Sequence, residues 1–360
     1  MSASEINSSN EKHSPWLTPW AQECTEDVCS CPVCASSMRS IMFSDLIDNT
    51  YFSAAGSWAL CKCSSCGTAY LNPRPTPKSI GKAYENYFTH KDGAGSIDSG
   101  KLGLLRQVRR MLVNGYINRH YGTCRSPAMD RCAMFVDWLP VRSVMDSQFR
   151  YLPKPSRGQS LLDIGCGNGD FLLNAQEMGW EASGLEPDPA AVSVARGRGL
   201  NVVLGGVEAL AAKSGCFDAV TLSHVIEHVH QPRELLQAVN RLLRANGIVY
   251  IDTPNIRSHG AKVFGRSWRG IEAPRHLTLF NPKSLKDLLT SCDFEDIEFR
   301  RRTDVQLGMY LRSKNISLTS SHYDSESINP GFWKRILMRS PFVKTDYLEY
   351  ITLTARKKSI

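Results

Sequence analysis

A glycine-rich turn at residues 161–170, with the sequence LLDIGCGNGD, is the clearest chemical signal in this chain of 360 residues. Gly165, Gly167 and Gly169 let the backbone turn sharply and approach a ligand with no Cβ in the way. An apolar strand-like run precedes them, and Phe171 opens a helix-like segment whose first N–H groups would face the same point. The pattern predicts a loop that binds a nucleotide-type cofactor.

An acidic residue follows at the spacing that such a loop requires. Glu186 ends a second predicted strand at residues 181–185, and Pro187 stops that strand. In a doubly wound sheet, a carboxylate at this position accepts hydrogen bonds from the ribose hydroxyls. A dinucleotide dehydrogenase is excluded, because its GxGxxG pattern is absent where Asp170 follows Gly169.

Histidine and glutamate side chains recur after two later strands. On a helical turn His224, Glu227 and His228 would share one face, because they are spaced i, i+3 and i+4. His276 follows the predicted fifth strand, and Arg275 beside it is expected to bind a substrate phosphate or carboxylate. This set indicates either a general base or a divalent-metal site. A turn whose histidines and glutamate only pair with each other is the alternative.

Two CxxC pairs lie near the N-terminus, with β-prone residues between them. Four thiolates from two tight turns close a tetrahedral zinc shell, so the metal would be structural. Cys29 and Cys61 are nearby competitors, but they lack the CxxC spacing. The predicted ligands are Cys31, Cys34, Cys63 and Cys66.

The elements that must position these residues alternate along the second half of the chain, which predicts a parallel sheet covered by helices on both faces. Strands are predicted near residues 160–164, 182–186, 200–204, 217–222, 247–252, 294–302 and 349–356. Helices are predicted near residues 169–178, 189–198, 232–243 and 283–291.

The remaining chain divides into smaller parts. We expect a disordered N-terminus at 1–25, a zinc ribbon at 26–75, a helical cap and linker at 76–158, and a cofactor-binding domain at 159–360. An insertion at 303–346 is expected to form a helix near 332–338. Residues 101–119 predict a basic amphipathic helix, interpreted as a cap over the cofactor, with membrane or anionic-substrate contact as alternatives.

Composition limits the class of protein. The formal net charge of +8 suggests a surface that tolerates anions, without identifying them. No apolar run reaches the roughly 18 residues of a spanning helix, and no secretory pattern is present, so a cytoplasmic protein is expected.

At these motifs the chain resembles the class I S-adenosylmethionine-dependent methyltransferases: LLDIGCGNGD is similar to their first motif, GLEPDP to their second, and FDAVTLSHVIEHV to their fourth strand and turn. The resemblance implies an α/β fold with a Rossmann-like seven-stranded sheet whose last strand is antiparallel. It also implies S-adenosylmethionine as cofactor, with the methionine end at Asp163 and the glycine loop, the ribose at Glu186 and the adenine near Glu208. The predicted cofactor-binding residues are Asp163, Gly165, Cys166, Gly167, Gly169, Glu186, Pro187, Glu208 and Ser223.

The catalytic part is similar to ubiquinone-biosynthesis O-methyltransferases and small-RNA 2′-O-methyltransferases, whose ExxEH turn and later histidine bind a divalent metal. By position, Glu227, His228 and His276 match that set, and His224 replaces the first glutamate. The replacement favours a softer ion such as Zn²⁺, Fe²⁺ or Mn²⁺ over Mg²⁺. Alternatively no metal is bound and His276 or His224 acts as general base.

The ribbon followed by NPRPTP resembles a group of bacterial methyltransferases associated with surface glycans and natural products. The predicted function is therefore O-methylation of a small-molecule or glycan-type acceptor. Two alternatives remain: an RNA methyltransferase that uses the ribbon and basic helix, and a catalytically silent cofactor-binding protein.

Overall fold

The computed structural model describes residues 18–84, 103–131, 133–138, 142–319 and 344–359. Most of the predicted disordered N-terminus and the helix predicted near 332–338 lie outside these residues. Within them, no helix is both long and apolar enough to cross a membrane.

A seven-stranded sheet forms the centre of the molecule, in the order β12-β13-β10-β9-β6-β7-β8. Its five neighbouring strands from β10 to β8 are parallel, whereas β13 inserts antiparallel between β10 and β12. This confirms the predicted α/β class and the antiparallel last strand. The bounds are β6 Ser160–Ile164, β7 Glu181–Glu186, β8 Asn201–Leu204, β9 Phe217–Ser223, β10 Leu243–Pro254, β12 Phe294–Arg300 and β13 Tyr350–Lys357.

The four helices predicted beside this sheet lie at the predicted places, because each begins at a proline or at a glycine turn and buries one apolar face. The sequence did not predict three further helices, Arg142–Gln148, His259–Phe264 and Gln306–Thr319. The bounds are α1 Leu104–Tyr121, α2 Arg142–Gln148, α3 Asp170–Met178, α4 Pro189–Gly197, α5 Pro232–Leu242, α6 His259–Phe264, α7 Pro282–Thr290 and α8 Gln306–Thr319.

The cysteine-rich region forms a small antiparallel sheet of its own. Its strands are β2 Arg39–Leu46, β3 Trp58–Cys63 and β4 Ala69–Leu71, and the short strands β1 Thr25–Glu26 and β5 Arg74–Pro75 pair beside it. A fourth strand, β11 Thr278–Leu279, comes from the C-terminal domain and pairs with β4. The ribbon sheet is therefore continuous with the domain that follows it.

Helix α1 is anchored through its second half and through the Met111 carbonyl oxygen, which accepts a 3.0 Å hydrogen bond from the Met129 N–H. Tyr116 and Tyr121 are buried, and each hydroxyl donates a 2.7 Å hydrogen bond to Oδ1 of Asp146 in α2. The same half packs in one core cluster with Phe171 and Leu172 of α3. This end of α1 is thus fixed against the helix that follows the glycine loop.

Candidate active site

The glycine loop lies at the carboxyl edge of the parallel sheet, between β6 and α3. Gly165, Gly167 and Gly169 all have positive φ, which only glycine adopts easily. A Cβ on Gly165 would lie 2.6 Å from Cγ2 of Val225. The turn that follows β9 therefore packs directly on this loop, and ligands bound by the two segments would be neighbours.

Asp163, at the end of β6, is fully buried and paired. Its Oδ1 accepts hydrogen bonds from Nη1 of Arg150 and, at 2.8 Å, from the Thr221 hydroxyl. The Arg150 guanidinium also lies 3.6 Å from the ring centroid of Phe171. Among the described residues, nothing donates to the buried Oδ2 of Asp163. The buried Oδ2 therefore has an unused hydrogen-bonding capacity beside the Arg150 guanidinium.

Glu186 links the glycine loop to the second strand. Its Oε2 accepts a 2.8 Å hydrogen bond from the Gly167 N–H, and its Oε1 accepts a 3.0 Å bond from the Asp188 N–H. The side chain is buried to 9% exposure, so it is held in one orientation. Each oxygen keeps a second lone pair that a ribose hydroxyl can use.

The other predicted cofactor-binding residues differ in which of their atoms are available to a ligand. Cys166 points inward, where a Cβ on Gly184 would be 2.4 Å from its sulfur, so only its backbone faces the loop. Glu208 folds back on its own turn and accepts a 2.7 Å hydrogen bond from the Gly206 N–H. Ser223 ends β9 at the same edge, half-buried, and Pro187 follows β7 as predicted.

Three of the four predicted catalytic residues form a compact group. Glu227, His228 and His276 each place a potential ligand atom within 4.8 Å of the others. Glu227 and His276 are buried, and His228 is half-buried. The three residues converge from two segments, the turn after β9 and the turn before β11. A divalent ion fits this set because it offers one carboxylate and two imidazoles.

Both imidazoles are oriented through Nδ1. In His276 this atom lies 2.8 Å from the Gly270 carbonyl oxygen, and in His228 it lies 3.1 Å from the Arg275 carbonyl oxygen. A carbonyl only accepts, so Nδ1 carries the proton and Nε2 keeps a lone pair. Tyr84, from the segment after the ribbon, places its hydroxyl 2.9 Å from Nδ1 of His228.

Burial and neighbouring charges fix the protonation of this group. Burial lowers the pKa of His276 to about 4, so its imidazole is neutral at physiological pH. Burial alone would raise the pKa of Glu227, but the His224 hydrogen bond and the nearby histidines lower it to about 2. A buried carboxylate beside the neutral imidazole of His276 suits a metal, which binds deprotonated ligands.

His224 does not belong to this group. The prediction of one helical face is wrong, because β9 ends at Ser223, α5 begins at Pro232, and His224 has a φ of 56°. Its Nδ1 lies 3.2 Å from Glu227 Oε1, and its Nε2 lies 3.3 Å from Asp252 Oδ2. Burial opposes a charge on His224, but these two carboxylates raise its pKa. His224 therefore bridges the two carboxylates and helps to position them.

Arg275 does not face a substrate, contrary to expectation. Its side chain is 0% exposed, and its guanidinium forms a bidentate ion pair with the equally buried Asp48 of the ribbon. It also donates to Glu272, at 3.1 Å, and to the Ala83 carbonyl oxygen, at 2.9 Å. Arg275 therefore attaches the turn that carries His276 to the ribbon.

The four predicted zinc ligands lie together, and Cys29 and Cys61 lie outside the group. Sγ of Cys31 is 3.6 Å from Sγ of Cys66, and Sγ of Cys34 is 3.5 Å from Sγ of Cys63. In a tetrahedral zinc–thiolate site the sulfurs are about 3.8 Å apart, given zinc–sulfur bonds of about 2.3 Å. The residues fit a structural zinc ion.

Comparison with known proteins identifies the C-terminal part. Residues 141–298 match a family model described as a methyltransferase domain. The chain contains a class I S-adenosylmethionine-dependent methyltransferase domain. The glycine loop, Glu186 and the β9 turn all lie within the matched residues of this domain.

Curated relatives share parts of the methyltransferase domain. A ubiquinone biosynthesis O-methyltransferase of Methylocella silvestris is 28% identical over 148 residues, which are 36% of this chain and 58% of the relative. The enzyme of that name from Xanthomonas oryzae pv. oryzae is 35% identical over 105 residues, 27% of this chain and 44% of the relative. The alignments thus span about half the length of these relatives.

Among solved structures, a SAM-dependent methyltransferase from Archaeoglobus fulgidus aligns with 61% of this chain and 94% of its own, with a TM-score of 0.40 and 20% identity. Phosphoethanolamine N-methyltransferase 2 from Haemonchus contortus, in complex with S-adenosyl-L-methionine, aligns with 69% of this chain and 60% of its own, with a TM-score of 0.44 and 16% identity.

Sequence reasoning missed two residues that border the methyltransferase site. Arg150 lies in the segment assigned as a linker, and no motif distinguishes it from other basic residues there. Tyr84 belongs to the segment predicted as a helical cap and linker, where it is one aromatic residue among several. Only the tertiary fold brings them to Asp163 and His228.

The cysteine cluster provides a first testable prediction. Cys31→Ser should lower the zinc content by about one ion per chain and lower the melting temperature. Structural zinc binding is worth about 10 kcal/mol or more, so the loss should cost several kcal/mol. Mass spectrometry of the native protein and thermal denaturation measure both effects.

Cys29→Ser is the matched control, because Cys29 is exposed two residues away and lies outside the cluster. It should retain zinc and stability. Equal zinc loss in both variants would contradict the ligand assignment.

Proposed function

We propose that this protein transfers a methyl group from S-adenosylmethionine to an oxygen atom of a small-molecule or glycan-type acceptor. The group of Glu227, His228 and His276, adjacent to the glycine loop, is the observation that carries the proposal. Support for oxygen as the target comes from the relatives named ubiquinone biosynthesis O-methyltransferases. The four-thiol ribbon needs reduced cysteines and so favours the cytoplasm.

The cofactor would lie along the carboxyl edge from Asp163 to Glu186. Its methionine ammonium would bind the unpaired Oδ2 of Asp163, its carboxylate would bind Arg150, and its ribose would bind Glu186. The adenine would lie near Glu208. The sulfonium methyl is already electrophilic, so the main task of the protein is to align the acceptor oxygen with it.

His276 is better suited to bind a metal ion than to act as a general base. With a pKa of about 4, its imidazole would be a weak acceptor for a hydroxyl proton near neutral pH. Glu227, His228 and His276 would hold a divalent metal, with Nε2 of each histidine as the ligand atom. Such an ion lowers the pKa of a bound hydroxyl. Tyr84 and the Gly270 carbonyl would keep the two rings in place.

Glu186→Ala should abolish measurable cofactor binding, because it removes the ribose acceptor and the bond that shapes the glycine loop at Gly167. Isothermal titration calorimetry with S-adenosylmethionine or S-adenosylhomocysteine measures the loss of affinity. We expect the Kd to rise more than about 100-fold, because two charge-assisted hydrogen bonds are lost.

Asp170→Ala serves as control, since Asp170 begins α3 beside the same loop and its side chain is 67% exposed in a surface ion pair with Arg198. It should bind the cofactor like the native protein. Retained affinity in the Glu186 variant would remove this residue from the cofactor site.

The function itself is tested with methyl-labelled cofactor. Purified protein is incubated with labelled S-adenosylmethionine and a fractionated cell extract, and the labelled product is identified by mass spectrometry. An O-methylated small molecule or glycan is the expected product. Labelled RNA would favour the nucleic-acid alternative, and cofactor binding without any labelled product would favour a catalytically silent protein.

A further inference from the structure

The first half of α1 carries an exposed amphipathic face that the proposed function does not use. Leu104 is 76% exposed, Leu105 is 86% exposed and Val108 is 38% exposed. Met111 and Leu112 continue the same face and are half-buried. At about 100° per residue these five side chains fall within an arc of about 120°. We call them the α1 apolar stripe.

Three arginines lie outside this stripe on the same helical turns. Arg106, Arg109 and Arg110 are exposed, and Arg109 borders the stripe. The sequence contains no aspartate or glutamate between Asp98 and Asp130. The whole exposed half of the helix is therefore cationic. Because a helix with its side chains is about 10–12 Å across, all three charges would lie within roughly a Debye length of a surface that the stripe touches.

Among the described residues, the anchoring of α1 leaves Leu104, Leu105 and Val108 of this face exposed. The Tyr116 and Tyr121 hydroxyls fix the second half to Asp146, and the first half continues as the same helix. The stripe is about 13 Å long, at 1.5 Å per residue. Its exposed part, from Leu104 to Val108, can contact a surface without any rearrangement of the core, on which Leu112 packs.

We propose that the first half of α1 binds an anionic lipid surface, with the α1 apolar stripe in the acyl boundary and Arg106, Arg109 and Arg110 at the headgroups. Leucine on one face and arginine on the other is the composition of helices that lie in the membrane interface. The stripe contains no tryptophan, tyrosine or phenylalanine, the residues that usually anchor protein partners. A nucleic acid would use the arginines and leave the exposed leucines without a role.

Vesicle flotation with the purified full chain tests this inference. The native protein should bind phosphatidylcholine vesicles that contain phosphatidylglycerol and should bind pure phosphatidylcholine vesicles weakly, with binding that falls as salt rises. Arg106→Gln/Arg109→Gln/Arg110→Gln should lower the partition coefficient on the anionic vesicles on the order of 100-fold, at about tenfold or less per arginine. Leu104→Ser/Leu105→Ser should lower it at least about tenfold.

Matched controls lie elsewhere on the surface. Leu318→Ser removes a leucine of similar exposure from α8, and Arg241→Gln removes an exposed arginine from α5. Neither should change vesicle binding. Failure of the native protein to bind anionic vesicles, or equal binding by all variants, overturns the inference.

Two further outcomes also decide against it. If the leucine variant lowers the melting temperature by several degrees, the stripe is covered by the chain itself. If single-stranded RNA is bound and only the arginine variant loses it, while vesicle binding does not respond to the leucine variant, the surface recognises nucleic acid. None of these results depends on methyl transfer, because vesicle binding is measured without cofactor or acceptor. The inference and the proposed function therefore fail separately.

Discussion

Asp48→Ala is expected to lower the free energy of unfolding by about 3–5 kcal/mol, because it removes the bidentate ion partner of the fully buried Arg275 and leaves Glu272, which also pairs with Arg269, to balance its charge. Asp48 also accepts backbone hydrogen bonds from Tyr51, Ser53 and Ala54, so the loop between β2 and β3 loses its organising carboxylate. Chemical denaturation monitored by circular dichroism measures the loss.

The same substitution should reduce turnover beyond its effect on stability. The Arg275 carbonyl oxygen accepts the Nδ1–H of His228, and His276 is the next residue in the chain. A guanidinium that shifts toward water would move both histidines. Turnover measured at a temperature where the variant is fully folded separates this effect from unfolding.

Two further variants test whether these effects come from the Asp48–Arg275 ion pair. Asp27→Ala removes an exposed acid of the ribbon and should be nearly neutral. Asp48→Ala/Arg275→Met removes both members of the buried ion pair, while Glu272 keeps its ion pair with Arg269. Part of the lost stability should therefore return, giving a coupling energy in a double-mutant cycle. Additive effects of the two single substitutions would show that the ion pair does not couple the ribbon to the active-site turn.

The central sheet could be predicted from the sequence, because its strands are short apolar runs that glycine, proline or acidic residues interrupt. Strand β6, for example, spans Ser160–Ile164, as expected from the residues before the glycine loop. The bounds of the four helices predicted beside the sheet also agree within one residue, since proline or glycine marks each start. These signals are local, so one sequence is sufficient to find them.

The contacts that join the ribbon to the active site could not be predicted in this way. Asp48 and Arg275 are 227 residues apart in the chain, and β11 is only two residues long. Nothing near Arg275 in the sequence distinguishes a buried ion pair from a substrate contact, and the wrong choice followed. Likewise, the HxxEH spacing fits a helix, but His224 adopts a left-handed backbone conformation that local spacing does not reveal.

His276→Ala is expected to leave the cofactor Kd within about twofold of the native value and to lower turnover by at least about 100-fold, the usual effect of removing a residue that acts on the reacting group. The cofactor affinity should persist because Asp163, Glu186 and the glycine loop are not bonded to His276. Calorimetry with S-adenosylmethionine and the labelled-cofactor assay give the two values on the same preparation.

A metal readout distinguishes a ligand from a base at this position. If His276 binds a metal with Glu227 and His228, the variant should lose Mn²⁺ or Zn²⁺ binding in addition to that of the cysteine cluster, and His276→Gln should not restore it. If His276 is a base, metal binding should be unchanged.

His259→Ala is the control, because His259 is an exposed histidine at the start of α6. This variant should retain cofactor affinity, metal content and turnover. Normal turnover in His276→Ala would exclude His276 from the reaction. Because the rings of His276 and His228 lie 4.7 Å apart, that result would also place the acceptor elsewhere along the strand edge.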